Sequence, residues 1–476
     1  MKAARKRLAC TSGLHDLEAV AGAFFPAALM RELAALPGTR ERWLPSVLIF
    51  WSFLNMVLNP GMPCREAQRA VQSWWMRQGK IWRNSATNAF CAARARLPLT
   101  WLHRLHLRQA DLLCAAVPPL EGCHGRRVLV VDGTTILTPD TSANQAAWPQ
   151  PVTQKPGCGF PQIRVVALFC LAGGTLLRAA HGSIKNHEAR LFALLRGCLK
   201  KRDLLVADSG FYSFANFALL ARRMVDLVAR TPDIQRLDWS KGHILGPGDR
   251  LLVLTRPGRA SNVMSRRLWE TLPKTITVRQ VRVERLRAGF RTSTLVLTTT
   301  LLDPVLWPAA LLISLYERRW RVELSFDDIK TTMEAEKMRC LSPGMVRREL
   351  LLHSIAHNLV RRLMREATRQ TGTDLDRSSF KGTLDTLRQW QPGIAAARGK
   401  ERGQRYRAML RLLGTDRVPE RPGRFEPRVV KRRPKPFGRL TKPRDEMRAN
   451  PPLKRGKGKR KPETKPRTPH KSWRLN

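Results

Sequence analysis

Between Leu312 and Lys337 the sequence reads LISLYERRWRVELSFDDIKTTMEAEK, with no proline or glycine to interrupt a helix. At about 100° per residue, Tyr316, Arg319, Trp320, Glu323, Asp327 and Lys330 fall within an arc of roughly 100°. One stripe thus carries two carboxylates, two cations and two rings with hydrogen-bonding tips. Ile313, Leu315, Leu324 and Phe326 border it with apolar surface. Glu323 and Asp327 stand four residues apart, where like charges repel, so a divalent cation or a proton is the natural reason to keep both. A solvated charged face is the competing reading of the same stripe.

Two more acids sit at the ends of strand-like runs. Arg127–Val131 (RVLVV) has the apolar texture of a buried strand and delivers Asp132, followed by Gly133-Thr134-Thr135. Leu204–Ala207 repeats the arrangement and ends in Asp208, Ser209 and Gly210. If the two runs are parallel neighbours, both acids lie at one edge of one sheet, and a helix packed on that edge adds Glu323. Three hard oxygen donors of this kind hold two Mg²⁺ ions and leave positions open for a phosphate and a water. One ion would sharpen the attacking oxygen and the other steady the leaving one. Arg319 and Lys330 would engage non-bridging phosphate oxygens, and Tyr316 would donate a hydrogen bond to one. Trp320 offers a stacking face to an unpaired base. The remaining polar residues suggest plainer roles. His353 and His357, four apart with no third ligand in view, suggest helix packing or solvent. His187 and Glu188 suggest a helix start at the surface. Asp327 suggests support for the site or a pair with Arg or Lys, and Cys158 and Cys340 lack partners at catalytic spacing.

The elements that must position these groups follow from the pattern along the chain. From Leu14 to about Leu120 the periodicity is helical, in segments such as Pro26–Leu36, Leu44–Leu58, Cys64–Gln78 and Pro98–Ala115. The texture changes at Gly122. Strand-like runs at Ile163–Ala172 and Thr175–Ala180 flank the turn signal Gly173-Gly174. A helix is predicted from His187 to Lys200 with Asn186 as its cap, another from Ser213 to Met224, and a strand over Val225–Arg230. Asp238 to Thr300 is rich in Val, Leu and Thr, with strands predicted over Gln280–Arg285 and Ser293–Thr300 around a turn at Ala288-Gly289. Gly344–Ala367 returns to helix.

The resulting expectation is an α/β chain with a mixed sheet in six parts. A helical N-terminal domain (1–121), with basic polar sides suited to contacting DNA, precedes the first part of a catalytic core (122–231). A β-rich insertion (232–302) separates this from the rest of the core with the Glu-bearing helix (303–370). A helical region (371–420) and a basic, proline-rich tail (421–476) follow. That tail has a net charge of +17 and ten prolines, the composition of an extended or disordered segment suited to phosphate contact.

Composition narrows the partners. A net charge of +49 in 476 residues, with a pI near 11.5, bears on association rather than fold and points to a polyanion, with an anionic membrane surface as the competitor. No apolar run is long enough to span a bilayer: Val47–Leu58 contains Ser52 and Asn55 and stops before Pro60. The basic start MKAARKRLAC leads into Asp16 and Glu18, which argues against a signal peptide. Nine cysteines at irregular spacing without a CxxC pair suggest a reducing compartment and no disulfide framework.

At these residues the chain resembles the DDE transposases of bacterial insertion sequences, specifically the insertion-sequence-four family. That family's Tyr–(2)–Arg–(3)–Glu–(6)–Lys signature is matched at every position by Tyr316, Arg319, Glu323 and Lys330. VVDGTTILTPDTSAN (Val130–Asn144) and ADSGFYSFANF (Ala207–Phe217) resemble its blocks around the first and second aspartates. The resemblance reaches from the helical N-terminal region to RPGRFEPRVVKRRPKPFGRLTKPR in the tail. It implies a ribonuclease-H-like core with a β insertion, and Asp132, Asp208 and Glu323 as a catalytic triad binding two Mg²⁺ ions, with Mn²⁺ able to substitute. It implies DNA contacts from Tyr316, Arg319 and Lys330 and a base-holding role for Trp320, which Trp239 or Trp269 would share. It further implies cut-and-paste transposition by a homodimer in a synaptic complex on inverted terminal repeats and target DNA, in the bacterial cytoplasm at the nucleoid. Two alternatives remain: a metal-dependent nuclease or resolvase of the same fold, and an inactive DNA-binding derivative.

Overall fold

The computed structural model describes residues 14–35, 43–81, 86–235, 237–259, 264–284, 294–420 and 442–449. The chain divides into two compact units, residues 1–151 with 160–430, and residues 152–159 with 431–476. Most of the basic tail, the N-terminal decapeptide and the turn at Ala288-Gly289 lie outside the described residues. In the smaller unit Arg444–Ala449 is helical.

In the larger unit, the N-terminal region folds as α1 (Leu14–Ala21), α2 (Ala27–Ala34), α3 (Ser46–Leu58), α4 (Cys64–Arg77), α5 (Asn88–Arg96) and α6 (Leu99–Ala115). Prolines 26, 45, 63 and 98 stand immediately before the first residues of α2, α3, α4 and α6, where a missing N–H costs nothing. α3 (SVLIFWSFLNMVL) is apolar nearly all round, and ten of its residues are buried, so it lies inside the helical layer.

The sheet begins with β1 (Val128–Leu137). After the short α7 (Ser142–Ala147) come β2 (Gln162–Cys170) and β3 (Leu176–Ser183), then α8 (Glu188–Leu195), β4 (Leu204–Ala207), α9 (Phe214–Arg222) and β5 (Asp226–Arg230). β6 (His243–Gly246), β7 (Asp249–Thr255), α10 (Arg266–Glu270), β8 (Thr275–Glu284) and β9 (Thr294–Thr299) follow. Nine strands form one sheet in the order β3-β2-β1-β4-β5-β9-β8-β7-β6. β1 is antiparallel to β2 and parallel to β4, and β4 is parallel to β5. The β-rich stretch joins this sheet through the antiparallel β5–β9 pair rather than forming a layer of its own.

The chain then runs through α11 (Ala309–Arg318), α12 (Trp320–Asp327), a π turn over Asp328–Thr332, and α13 (Pro343–Thr371), α14 (Phe380–Ala396) and α15 (Gly399–Thr415). Alternation along β1 sorts the core. Val128, Val130 and Ile136 share one buried cluster with residues of α1, α3, α6 and α11 to α15. Leu129 and Val131 share another with Leu191, Phe192 and Phe217 on the other face. Helices on both sides of residue 121 thus contribute to one core. Among the described residues, no helix is long and apolar enough to cross a membrane.

Three local expectations change. β1 does not stop at Asp132 but continues to Leu137, because β2 keeps pairing with it after β4 has ended. The cap of α8 is His187, whose ring nitrogen accepts from the Ala189 N–H, rather than Asn186. The helix predicted over Leu312–Lys337 is interrupted. At Arg319 the chain tightens into three-residue hydrogen bonds, Arg319 N–H to Tyr316 and Val322 N–H to Arg319, and after Asp327 it widens into the π turn. It ends near Met333, with Glu334 at φ 55°, so Glu336 and Lys337 are not helical.

Candidate active site

β1 and β4 run in register, with Val131 opposite Ala207, so Asp132 and Asp208 are the next residues on neighbouring parallel strands. Asp132 stays within β1, held on its other side by pairing with Ala167 of β2. Asp208 leaves the sheet and caps the short turn over Ser209–Phe211, its Oδ1 accepting from the Gly210 N–H at 2.8 Å.

The third acid arrives from α12, whose Val322 and Phe326 are buried in the cluster that also holds Val130. Arg319 links it to the first. Its Nη1 lies 3.3 Å from Asp132 Oδ2 and its Nη2 2.9 Å from Glu323 Oε1. The same guanidinium lies 5.6 Å from the centre of the Tyr316 ring. Burial pushes the Asp132 carboxyl up to about 6; the Asp208 and Glu323 charges add to the rise, while the Gly133 N–H and Arg319 oppose it. Asp208 and Glu323 are thus both near enough to act on Asp132.

The other stripe residues divide. Tyr316 is buried, and burial pushes its phenol up, with Arg319 and Arg230 opposing and Asp208 adding to the rise. Lys330, on the π turn, reaches Thr134 Oγ1 at 3.4 Å, two residues beyond Asp132 on β1. Trp320 is 58% exposed. Asp327 is exposed and accepts from Thr331 Oγ1 at 2.6 Å, and among the described residues it forms no ion pair with Arg or Lys. His353 and His357 are both buried in α13, and His357 stacks on Phe380, which selects packing over solvent. Of the two tryptophans left open, Trp269 is buried, while Trp239 lies beneath Arg250 and Arg282.

Local spacing gave no notice of three neighbours. Arg230 ends β5, the strand beside β4, and acts on Tyr316. Thr134 receives Lys330. Glu188 lies against Gly133: a Cβ added there would meet its carboxyl carbon at 2.6 Å, so any larger residue beside Asp132 would have to displace that carboxylate. The signal for the last two was the run Asp132-Gly133-Thr134, whose small residues leave room for approaching groups.

A family model described as the transposase DDE domain matches residues 124–359, which contain all three acids and the stripe. Transposase InsG for insertion sequence element IS4 of Escherichia coli (strain K12) is 28% identical over 404 residues, covering 83% of this chain and 87% of that protein. The chain belongs to the insertion-sequence-four family of DDE transposases. The transposase also shows a likeness to the piggyBac transposase in a cryo-EM synaptic complex with hairpin DNA. The TM-score is 0.42 at 8% identity, over 83% of this chain and 84% of that one.

As a DDE transposase the protein acts in DNA transposition by DNA cleavage and strand transfer, and the family depends on divalent metal. Among the described residues no three His, Cys, Asp or Glu side chains are grouped closely enough to enclose an ion. The donor chemistry nonetheless suits one. Asp132, Asp208 and Glu323 offer hard carboxylate oxygens, and their mutual repulsion at Asp132 favours a cation. The Arg319 guanidinium already serves as that cation between two of them.

Proposed function

We propose that this transposase carries out cut-and-paste transposition with Asp132, Asp208 and Glu323 as its catalytic carboxylates. What supports this most is the contact of Arg319 with both Asp132 and Glu323 while Asp208 follows the strand position beside Asp132. These acids come from segments far apart in sequence, and no need of the fold brings three like charges together. Bound there, two Mg²⁺ ions, with Mn²⁺ able to substitute, would supply Lewis acidity to the attacking and leaving oxygens of phosphodiester transfer.

The protein's own groups have separate tasks. Asp132, Asp208 and Glu323 would hold the ions. Arg319, moving off the carboxylates, turns its fork toward a non-bridging phosphate oxygen, and Lys330 and Tyr316 contact the same backbone. Trp320, exposed at the start of α12, stacks on an unpaired base. Water attack at the element end frees a 3′-hydroxyl, which then attacks target DNA. The strand order β3-β2-β1-β4-β5, three antiparallel strands followed by two parallel ones, supports reading 122–231 with 303–370 as a ribonuclease-H-like core and 232–302 as an insertion. In this reading 1–121 and 371–420 are helical regions and 421–476 is a basic arm. The enzyme works as a homodimer on inverted terminal repeats in the bacterial cytoplasm, at the nucleoid.

The test uses a duplex carrying the element end, a precut end and a plasmid, with Mg²⁺. Cleavage of the first and joining of the second to the plasmid are expected, and Asp132→Asn, Asp208→Asn and Glu323→Gln should each lower both by at least about a thousandfold. Cleavage without joining would make the protein a nuclease or resolvase. Full activity in all three variants would overturn the site.

A further inference from the structure

On the sheet face that carries α8 and α9, opposite α11 and α12, a cleft of about 520 Å³ opens beside the loop that follows β4. Lys185, His187, Arg190 and Arg196 line it, and no lining residue is acidic. Lys185 and Arg190 are exposed, and neither side chain is paired among the described residues. Arg196 is held by a neutral partner, Asn216 Oδ1 at 3.2 Å, so its charge is not cancelled. Gly210 also lines the cleft, and its N–H is the group that holds the Asp208 carboxylate. The basic surface therefore starts at the loop bearing Asp208.

Strand transfer needs two DNA segments at one set of acids. Tyr316, Arg319 and Lys330 approach those acids from the α11–α12 face, and the cleft approaches them from the other. Resting on the function proposed above, in which the first face takes the element end, we propose that the cleft holds the phosphodiester backbone of the target DNA. Its cations contact phosphates rather than bases, so it fixes position without selecting sequence.

The test compares the double variant Lys185→Glu/Arg190→Glu with a charge-matched control, Lys200→Glu/Lys201→Glu. The control lysines precede β4 and lie at the opposite end of that strand from Asp208. Uncut element ends, precut ends with plasmid, and anisotropy of a duplex lacking terminal repeats at several salt concentrations are measured with the full chain. The cleft variant should join precut ends about tenfold more slowly and bind the repeat-free duplex with a log–log salt slope smaller by about 2, one phosphate per lost cation. Its cleavage of uncut ends should match the control within about twofold. Lys185→Ala/Arg190→Ala should show the same order of effects, and unchanged melting temperatures rule out misfolding. Parallel loss of cleavage and joining would assign the cleft to the element end and overturn the proposal, as would unaltered joining and slope. If wild-type protein neither cuts nor joins, the proposed function fails instead, and the anisotropy arm alone decides the cleft.

Discussion

With one nitrogen near Asp132 and another near Glu323, Arg319 neutralises carboxylates that would otherwise repel across the site. A lysine presents a single point of charge and cannot span both in the same way. Arg319→Lys and Arg319→Ala should therefore both cut element ends at least about a hundredfold more slowly. Calorimetry without DNA should show Arg319→Ala binding Mn²⁺ more tightly than wild type, since its internal competitor is gone; weaker binding would mean that Arg319 assembles the acids rather than competing for them. Gly133 gives a separate test. Gly133→Ala pushes a methyl against the carboxyl end of Glu188, a half-exposed side chain that can turn aside, so it should cost less than about 1 kcal/mol in urea unfolding while moving that carboxylate away from Asp132. At this scale the sequence was most informative where chemistry repeats locally: an acid after each of two apolar runs, and a stripe at helical spacing. Arg230 stayed hidden, Thr134 was seen only as part of a turn-like run and Glu188 only as a surface residue at a helix start, because what matters about each is a neighbour reached only through the folded sheet.

Elements were legible wherever one period persisted. Leu204–Ala207 and the helices α2, α3, α4 and α6 fall within a residue or two of their expected bounds, since their apolar spacing is uninterrupted. The run through Asp132 was harder, because Gly133-Thr134-Thr135 has the composition of a turn, and only the partner strand keeps it extended. The Glu-bearing helix failed at its centre for the opposite reason. Nothing in its composition breaks a helix, yet packing tightens it at Arg319 and widens it at Asp328, the kind of irregularity that accompanies functional sites. α13 makes a prediction of its own. Burial lowers His353 and His357 to about 3, and His106 of α6 to about 4, each from 6.5. These bases stay neutral in the fold while the unfolded chain takes up protons, so stability is present above pH 6.5 and is lost as pH falls below it. Each should cost about 2 kcal/mol by pH 5. Chemical denaturation at pH 7.5 and 5 should show the loss, and His357→Leu, which keeps packing against Phe169 and Phe380, should remove about a third of it.

For the molecule as a whole, charge was the clearest message and topology the least. A net +49 cannot be hidden in any fold, whereas the pairing that adds β9 and its neighbours to β5 depends on contacts about seventy residues apart. Removing residues 421–476 takes away a net charge of +17, so the truncated chain should bind repeat-free duplex more weakly and with a visibly flatter salt dependence. An unchanged slope would mean that the tail stays off the DNA. The order of the acids along the chain has one further effect. On the ribosome, Asp132 and Asp208 emerge with β1 and β4, but Glu323 waits until the rest of the sheet and α11 have been translated. A growing polypeptide thus carries two carboxylates and much of the basic surface through most of its synthesis without the last acid. Genes interrupted before that codon would encode chains that lack both the last acid and the later helices of the main core, so they could not cut the host chromosome.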